Sequence, residues 1–371
     1  MANTIKLGNG NWATKEGSLL AYNDENNNFK PLPFTTTRAS SATVVNKQGL
    51  IETVGSGIPR IDFSDDANGA LLLEPQSSNL VVLSNDFSGL AGGYVTPNYG
   101  TSQQGLSVSR VLFTAANQSL SAATSLATGV VCNFSAYVKG VQGELIRFAA
   151  GGADVSHTFS GEWERLSGSK TSVNSSWNFN TYGSATARDF LMCAAQLEEG
   201  SYATSYIKTV GTAQTRVADT ASGSGNSTVI NSTEGVLYAE ISALANDSTN
   251  RKITLNNGNY TNQISLSYGS SSNLIDCLVY DGTVQANLTY SSSIIKDFNK
   301  IAFKYKSNNF SLWVNGIKVA STLLGVTTSL TLSAISFNNG GSGDVFYGKT
   351  KDLRVYTTAL TDAELTTLTT I

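Results

Sequence analysis

The side chains that could do chemistry in this chain are few and widely spaced. Its single histidine, His157, lies in Asp154-Val-Ser-His-Thr-Phe159. No Gly-x-Ser-x-Gly elbow with a histidine in triad order accompanies it, so activation of a serine by imidazole has no support. One histidine and three dispersed cysteines cannot supply the protein ligands of a usual zinc site. Glycoside hydrolysis needs two carboxyl groups facing one another across a cleft. Asp62, Asp65 and Asp66, or Glu198 and Glu199, are candidates, but nothing in the sequence pairs them. The loop acids Asp247, Asp281 and Asp344 could hold calcium, yet none sits in an oxygen-ligand loop, so no cofactor or metal is assigned. Binding chemistry is better represented. Sugar rings are held by aromatic faces together with amides and carboxylates for the hydroxyls. Trp163, Trp177, Tyr182 and Tyr268 are the candidate glycan platforms, with Tyr94, Tyr99, Tyr260 and Tyr290 behind them; any one of these rings is more often a core or sheet residue.

Elements of β-structure must position these groups. The 371 residues include 34 Gly but only 5 Pro and 2 Met, and 14% are charged. Abundant Ser, Thr and Asn suit solvent-facing strand positions and tight turns, and two or three cores can be built from a chain of this length. The net charge is −3 and the cationic residues are scattered, which disfavours nucleic acid and anionic membrane surfaces as partners. No apolar run approaches the roughly 20 residues of a membrane span, and the first residues do not read as a signal peptide, so synthesis and folding in a cytoplasm are expected. Cys132, Cys193 and Cys277 stand in apolar strand-like contexts and are expected to be buried small hydrophobes, not a disulfide framework.

Strand signals recur along most of the chain. Before residue 70 they are short, with Ile5–Leu7, Ser18–Tyr22 and Thr43–Val45 separated by the polar tract Asn23–Asn28 and by Pro31 and Pro33. In Cys132-Asn-Phe-Ser-Ala-Tyr-Val138 the alternation places Cys132, Phe134, Ala136 and Val138 on one face and Asn133, Ser135 and Tyr137 on the other. Residues 219–234 lose nearly all large apolar side chains and read as a linker. Beyond them, alternation marks ten strands. Asp281-Gly282 and Asn315-Gly316 predict two-residue hairpin loops. Thr361-Asp-Ala-Glu364 predicts a capping box opening one short terminal helix through Leu368.

Several of these segments also carry a resemblance. Phe34-Thr-Thr-Thr-Arg-Ala-Ser-Ser-Ala-Thr43, Pro59-Arg-Ile-Asp-Phe63, Leu71-Leu-Leu-Glu-Pro-Gln-Ser-Ser-Asn-Leu80 and Ala194-Ala-Gln-Leu-Glu-Glu-Gly-Ser-Tyr-Ala-Thr-Ser-Tyr-Ile-Lys-Thr209 with Thr215-Arg216 and Ala218-Asp219 resemble fibre and tail proteins of tailed bacteriophages. In those proteins the series flanks a carbohydrate-binding-like jelly roll; here Ser78 replaces the usual Thr. Phe298–Tyr305, Leu312-Trp-Val-Asn-Gly-Ile-Lys-Val319 and Lys351–Leu365 resemble a concanavalin A or laminin-G-like domain of phage structural proteins. The resemblance implies an all-β protein. Its expected order is an N-terminal virion-anchoring segment at 1–70, a jelly roll at 71–218, the linker at 219–234 and a laminin-G-like antiparallel β-sandwich at 235–371 ending in one short helix.

The function this implies is a non-enzymatic structural component of a virion, a head or tail fibre assembled in the host cytoplasm. Its N-terminal segment would meet other virion proteins, its β-domains would contact host surface polysaccharide, and a homotrimer is the implied assembly. A dedicated receptor-binding adhesin and, more remotely, a polysaccharide depolymerase are the alternatives.

Overall fold

The computed structural model describes residues 4–15, 17–23, 30–87, 90, 94–182, 187–291 and 294–371. Most of the polar tract Asn23–Asn28 expected to be turn-rich lies outside them. The described chain is almost entirely antiparallel β-structure, with one helix at Asp362–Thr369. It divides into two compact units that exchange chain four times. One comprises 1–39, 56–75 and 218–371, and the other 40–55 and 76–217.

The unit built on 76–217 is a sandwich. Its five-stranded sheet runs in the order Val95–Thr101, Ser107–Phe113, Arg188–Glu199, Val131–Lys139, Glu164–Thr171. The four-stranded sheet runs Ser119–Ala123, Ser176–Asn180, Leu145–Ala150, Ala153–Thr158. The alternation read from Cys132–Val138 holds: Cys132, Phe134, Ala136 and Val138 all enter the apolar core. There Phe134 stacks on Trp177 at 5.3 Å, and Phe179 and Phe148 pack around it. Residues 42–54 add a hairpin, Ala42–Val45 with Ile51–Val54.

The other unit pairs an eleven-stranded sheet, centred on Glu234–Ala243 and Gly348–Tyr356, with a five-stranded sheet of Val284–Ser291, Leu274–Tyr280, Gln263–Tyr268, Arg251–Asn256 and Ala334–Ser336. Apolar alternates such as Ile253, Leu255, Ile264, Leu266, Val279 and Phe303 fill its core. Asn315-Gly316 forms the two-residue loop expected, both residues with positive φ, joining Val314 to Ile317. The other turn differs: Tyr280 pairs with Val284, so three residues intervene, and only Gly282 has positive φ. The register shift after Val279 absorbs the extra residue.

Two expected boundaries are corrected. Residues 1–70 are not a separate arm. Ile5–Gly8 pairs along Asp352–Val355, and Ile5, Leu7, Leu19, Leu32 and Phe34 are buried in the same core as the C-terminal strands. Short strands that cannot bury a face alone complete a neighbouring sheet, which gives both their backbone groups and their apolar side chains partners. Residues 219–234 are not a linker either. Thr220–Ser222 pairs with Thr35–Thr37, and Ala221, Val229 and Ile230 lie in the core. A segment poor in large side chains can still be fixed by backbone pairing, which composition does not report.

Candidate functional site

The residues that carry the sequence resemblance converge in two buried polar clusters. In the first, the Arg38 guanidinium donates to Asp219 at 2.8 Å, and that of Arg60 donates to Glu74 at 2.6 Å and also to Asp219. The Glu74 amide donates to the same Asp219 carboxylate at 2.9 Å. All four side chains are at most 5% exposed. Burial opposes the charge on Arg60, but Glu74 and Asp219 outweigh it and hold its pKa above the ordinary value. In the second cluster, within the other unit, the Glu198 carboxylate accepts from the Ser77 hydroxyl at 2.6 Å, the Thr204 amide at 3.0 Å, the Thr204 hydroxyl and the Gln196 amide at 2.7 Å. The Ile207 backbone amide donates back to the Gln196 side-chain oxygen Oε1 at 2.6 Å, and Arg216 donates to the Thr204 and Ser205 hydroxyls. These groups are satisfied by one another. Their geometry serves folding, and Glu198 is closed off from any substrate.

Three of the other proposed acids are also engaged. Asp62 and Asp65 both bind Lys349, and Asp66 binds Lys351 at 2.9 Å. His157 is half-buried on Ala153–Thr158, 3.3 Å from Glu164 and edge-on to Phe159. All three cysteines are free and buried, and burial pushes the Cys193 thiol up to about 12. Among the described residues no three His, Cys, Asp or Glu side chains are grouped to hold a metal, and no helix is long and apolar enough to cross a membrane.

The candidate platforms separate by burial. Trp177 is 1% exposed inside the aromatic core, and Tyr268 is fully buried with its hydroxyl donating to the Ile241 carbonyl at 2.9 Å. Neither can meet a ligand, because both sit at alternate strand positions that point inward, and a large ring there does more for packing than for recognition. Trp163 is half-buried in the connection between the strands Ala153–Thr158 and Glu164–Thr171. Tyr182 is the exposed ring of these four, at 44%; of the rings behind them, Tyr99 is 53%, Tyr260 59% and Tyr290 37% exposed.

Beside Tyr182 lies the outward face of the four-stranded sheet. With Ile146, Phe148, Trp177 and Phe179 turned into the core, the alternate residues Arg147, Ala149, Asp154, Asn178, Asn180, Ser119 and Ser121 stand on the opposite face. The Tyr182 backbone amide donates to the Asn180 side-chain oxygen Oδ1 at 3.1 Å, which ties the turn carrying the ring to this face. Asn180 in turn donates to Asn178 at 2.7 Å and to Asp154 at 3.3 Å, and Arg147 stands 4.0 Å from Asp154. Ala149 and Asn180 are at most 1% exposed although they point away from the core, so neighbouring side chains cover the centre of this face. Arg147 and Asp154 remain about two-fifths exposed on its slope. A guanidinium, a carboxylate, an amide and an open aromatic ring on one sheet face can hold a hydroxylated ligand by hydrogen bonds and ring stacking. The sequence reading found Tyr182 but missed Arg147, Asp154 and Asn178; the period-2 alternation around Trp177 and Phe148 was the signal that places them together.

The same unit also contains a cleft of about 430 Å³ lined by Thr43, Thr53, Tyr206, Lys208, Gln214 and Arg216 among others. Its aromatic member, Tyr206, is buried with its hydroxyl bonded to Ser84, so no ring opens into that cleft as a platform.

Residues 237–366 match the family model of the concanavalin A-like lectin/glucanases superfamily. A comparison with curated protein sequences finds no match. Among solved structures, the chain is similar to the Ruminococcus gnavus IT-sialidase CBM40 at 17% identity, covering 40% of this chain and 93% of that one with a TM-score of 0.34. It is similar to domain 4 of AbnA, a GH43 extracellular arabinanase from Geobacillus stearothermophilus in complex with arabinotriose, at 14% identity over 46% and 82% of the two chains, TM-score 0.32. Mouse laminin alpha1 chain domains LG4-5 match at 11% identity over 75% and 89%, TM-score 0.25. Likenesses this remote carry no argument about ligand. The family match and the strand topology together make residues 237–366 a concanavalin A-like domain within an all-β chain.

Proposed function

We propose that this protein is a non-enzymatic structural component of a tailed-phage virion, a head or tail fibre, that contacts host surface glycans through the outward sheet face beside Tyr182. The observation that carries the glycan contact is the open Tyr182 ring adjoining Arg147, Asp154 and Asn178 on one sheet face. The virion setting is supported by the motif series from Phe34 to Asp219 and its resemblance to phage fibres. Homotrimeric assembly follows from the same resemblance. Contacts to other virion proteins would be made by the N-terminal strands as part of a folded unit. The engaged state of Asp62, Asp65, Asp66 and Glu198 supports the non-enzymatic reading.

Binding of the purified protein to host cells and to a glycan array tests the contact. Tyr182→Ala and Arg147→Ala should each weaken binding about tenfold, the loss of roughly 1.4 kcal/mol of contact, with the melting temperature little changed because both side chains are partly exposed. Unchanged binding in both variants, or none in the wild type, removes the reading. Release of new reducing ends from host polysaccharide would instead restore the depolymerase. Immunogold labelling of particles locates the protein on head or tail.

A further inference from the structure

The cleft of about 430 Å³ lies wholly within the unit of residues 40–55 and 76–217 and shares no residue with the face beside Tyr182. Its volume falls in the range of about 300–1,000 Å³ usual for small-molecule sites. It is open to solvent. Thr53, Lys208, Gln214 and Thr215 on its walls are exposed, and Val210 at its rim is 75% exposed.

Two segments build it, and both are fixed before any ligand arrives. The hairpin of Ala42–Val45 with Ile51–Val54 supplies Thr43 and Thr53, which stand opposite each other in the register. The chain from Tyr206 to Arg216 supplies the other wall. The Thr43 hydroxyl donates to the Tyr206 carbonyl and so joins the two. The Ile207 backbone amide is held by Gln196, and the Thr209 backbone amide donates to the Ser84 hydroxyl at 3.0 Å. A cleft ordered in this way spares a ligand the cost of arranging its own site.

The charges around the cleft are of one sign. Lys208 and Arg216 line it, and no Asp or Glu does. Arg216 is 1% exposed, and its guanidinium donates to the Thr204 and Ser205 hydroxyls. Lys208 is exposed, and its ammonium has no hydrogen-bond or ion-pair partner among the described residues. The acids close by in the chain are turned elsewhere. Glu52 precedes Thr53 in its strand, so alternation sends it to the other face, where it accepts from the Asn46 amide at 3.0 Å. Glu198, beyond Thr204, is enclosed by its own four donors.

These features select a ligand. An ammonium group without a carboxylate beside it favours an anion, and the absence of any lining acid disfavours a cationic or zwitterionic guest. Ala42, Ile207 and Val210 add apolar surface to the same walls, while the buried Tyr206 ring offers no platform for stacking. The guest therefore combines one negative group with a short aliphatic body. We propose that this cleft is a binding site for a small aliphatic carboxylate, with its carboxyl group at the Lys208 ammonium and its hydrocarbon part against Ile207 and Val210. The site stands independently of the glycan contact at Tyr182.

Saturation-transfer NMR and isothermal titration of the full-length protein with hexanoate, hexanamide and hexylamine test it. The three probes share a chain length and differ in charge. The expected result is saturable binding of hexanoate with a dissociation constant on the order of 1 mM, as suits so few atoms, weakening with added salt because the lysine is exposed. Hexanamide and hexylamine should bind at least about fivefold more weakly. Lys208→Ala should weaken hexanoate binding by the same factor, and Thr53→Trp, which fills the cleft, should abolish it; both positions are exposed, so the melting temperature serves as the check on folding. Tyr182→Ala should leave it unchanged. No saturable binding of hexanoate, equal binding of hexanamide, or binding indifferent to Lys208→Ala or to Thr53→Trp in folded variants overturns the proposal.

Discussion

At the residue scale, the same polar side-chain type does opposite work depending on whether its partners are close. Asp219 gathers Arg38, Arg60 and the Glu74 amide, and Glu198 gathers Ser77, Gln196 and Thr204; both are sequestered and structural. Asp154, about two-fifths exposed beside Arg147 and Asn180, stays accessible instead. Removing one member of a closed buried charge group strands the others. Asp219→Ala should therefore lower stability by about 3–5 kcal/mol, since two buried guanidinium groups lose a shared carboxylate, and urea unfolding of the variant measures it. A loss under 1 kcal/mol would mean that the two arginines find other acceptors.

At the element scale, strand assignment follows from alternation, while turns and caps follow from specific residues. The Asn315-Gly316 loop and the terminal capping box are local events. The Thr361 hydroxyl accepts from the Glu364 amide at 3.3 Å, and the Thr361 amide donates back to the Glu364 carboxylate at 2.8 Å. The helix they open covers Trp313, Tyr356 and Val236 with Leu365 and Leu368. Thr361→Ala should cost about 1 kcal/mol, the usual value of an N-cap, detectable as faster amide exchange in Asp362–Thr369 before global unfolding. Exchange indistinguishable from wild type would show that Leu365 packing alone holds the helix. The misread turn at Asp281–Thr283 shows the boundary of local reading: Asp-Gly signals a hairpin, but loop length also depends on strand register after Val279.

At the scale of the whole molecule, the C-terminal unit is not a contiguous stretch of sequence. Its core takes Ile5, Leu7, Leu19, Leu32, Phe34, Leu71 and Leu73 from the first seventy-odd residues. Full burial of such side chains is worth about 1.5–3 kcal/mol each, together comparable with the whole stability of a typical domain. A fragment of residues 235–371 should accordingly fail to unfold cooperatively, although it contains the whole of the concanavalin A-like match. A sharp urea transition of the isolated fragment, coincident by fluorescence and circular dichroism, would refute this. The buried Arg38, Arg60, Glu74 and Asp219 stand within a few residues of the four points where the chain passes between units, so the motifs that suggested a family also secure an interwoven chain path.

Composition and period-2 alternation by themselves determined the all-β class, the inward face of Cys132–Val138, the strands Ser107–Phe113, Gln263–Tyr268 and Leu274–Tyr280, and the capping box, because each depends on neighbours within a few residues. Tertiary structure alone decided that residues 1–70 and 219–234 are core-forming, since strand partners lie up to some three hundred and fifty residues away, as for Ile5 and Val355. It also decided the site. Trp177 and Tyr182 look equivalent in sequence, but one points between the sheets and the other stands open at the end of a turn. Which polar residues share an outward face, and which of them find partners, is fixed by the register between strands, and register is a property of pairs that no single strand contains.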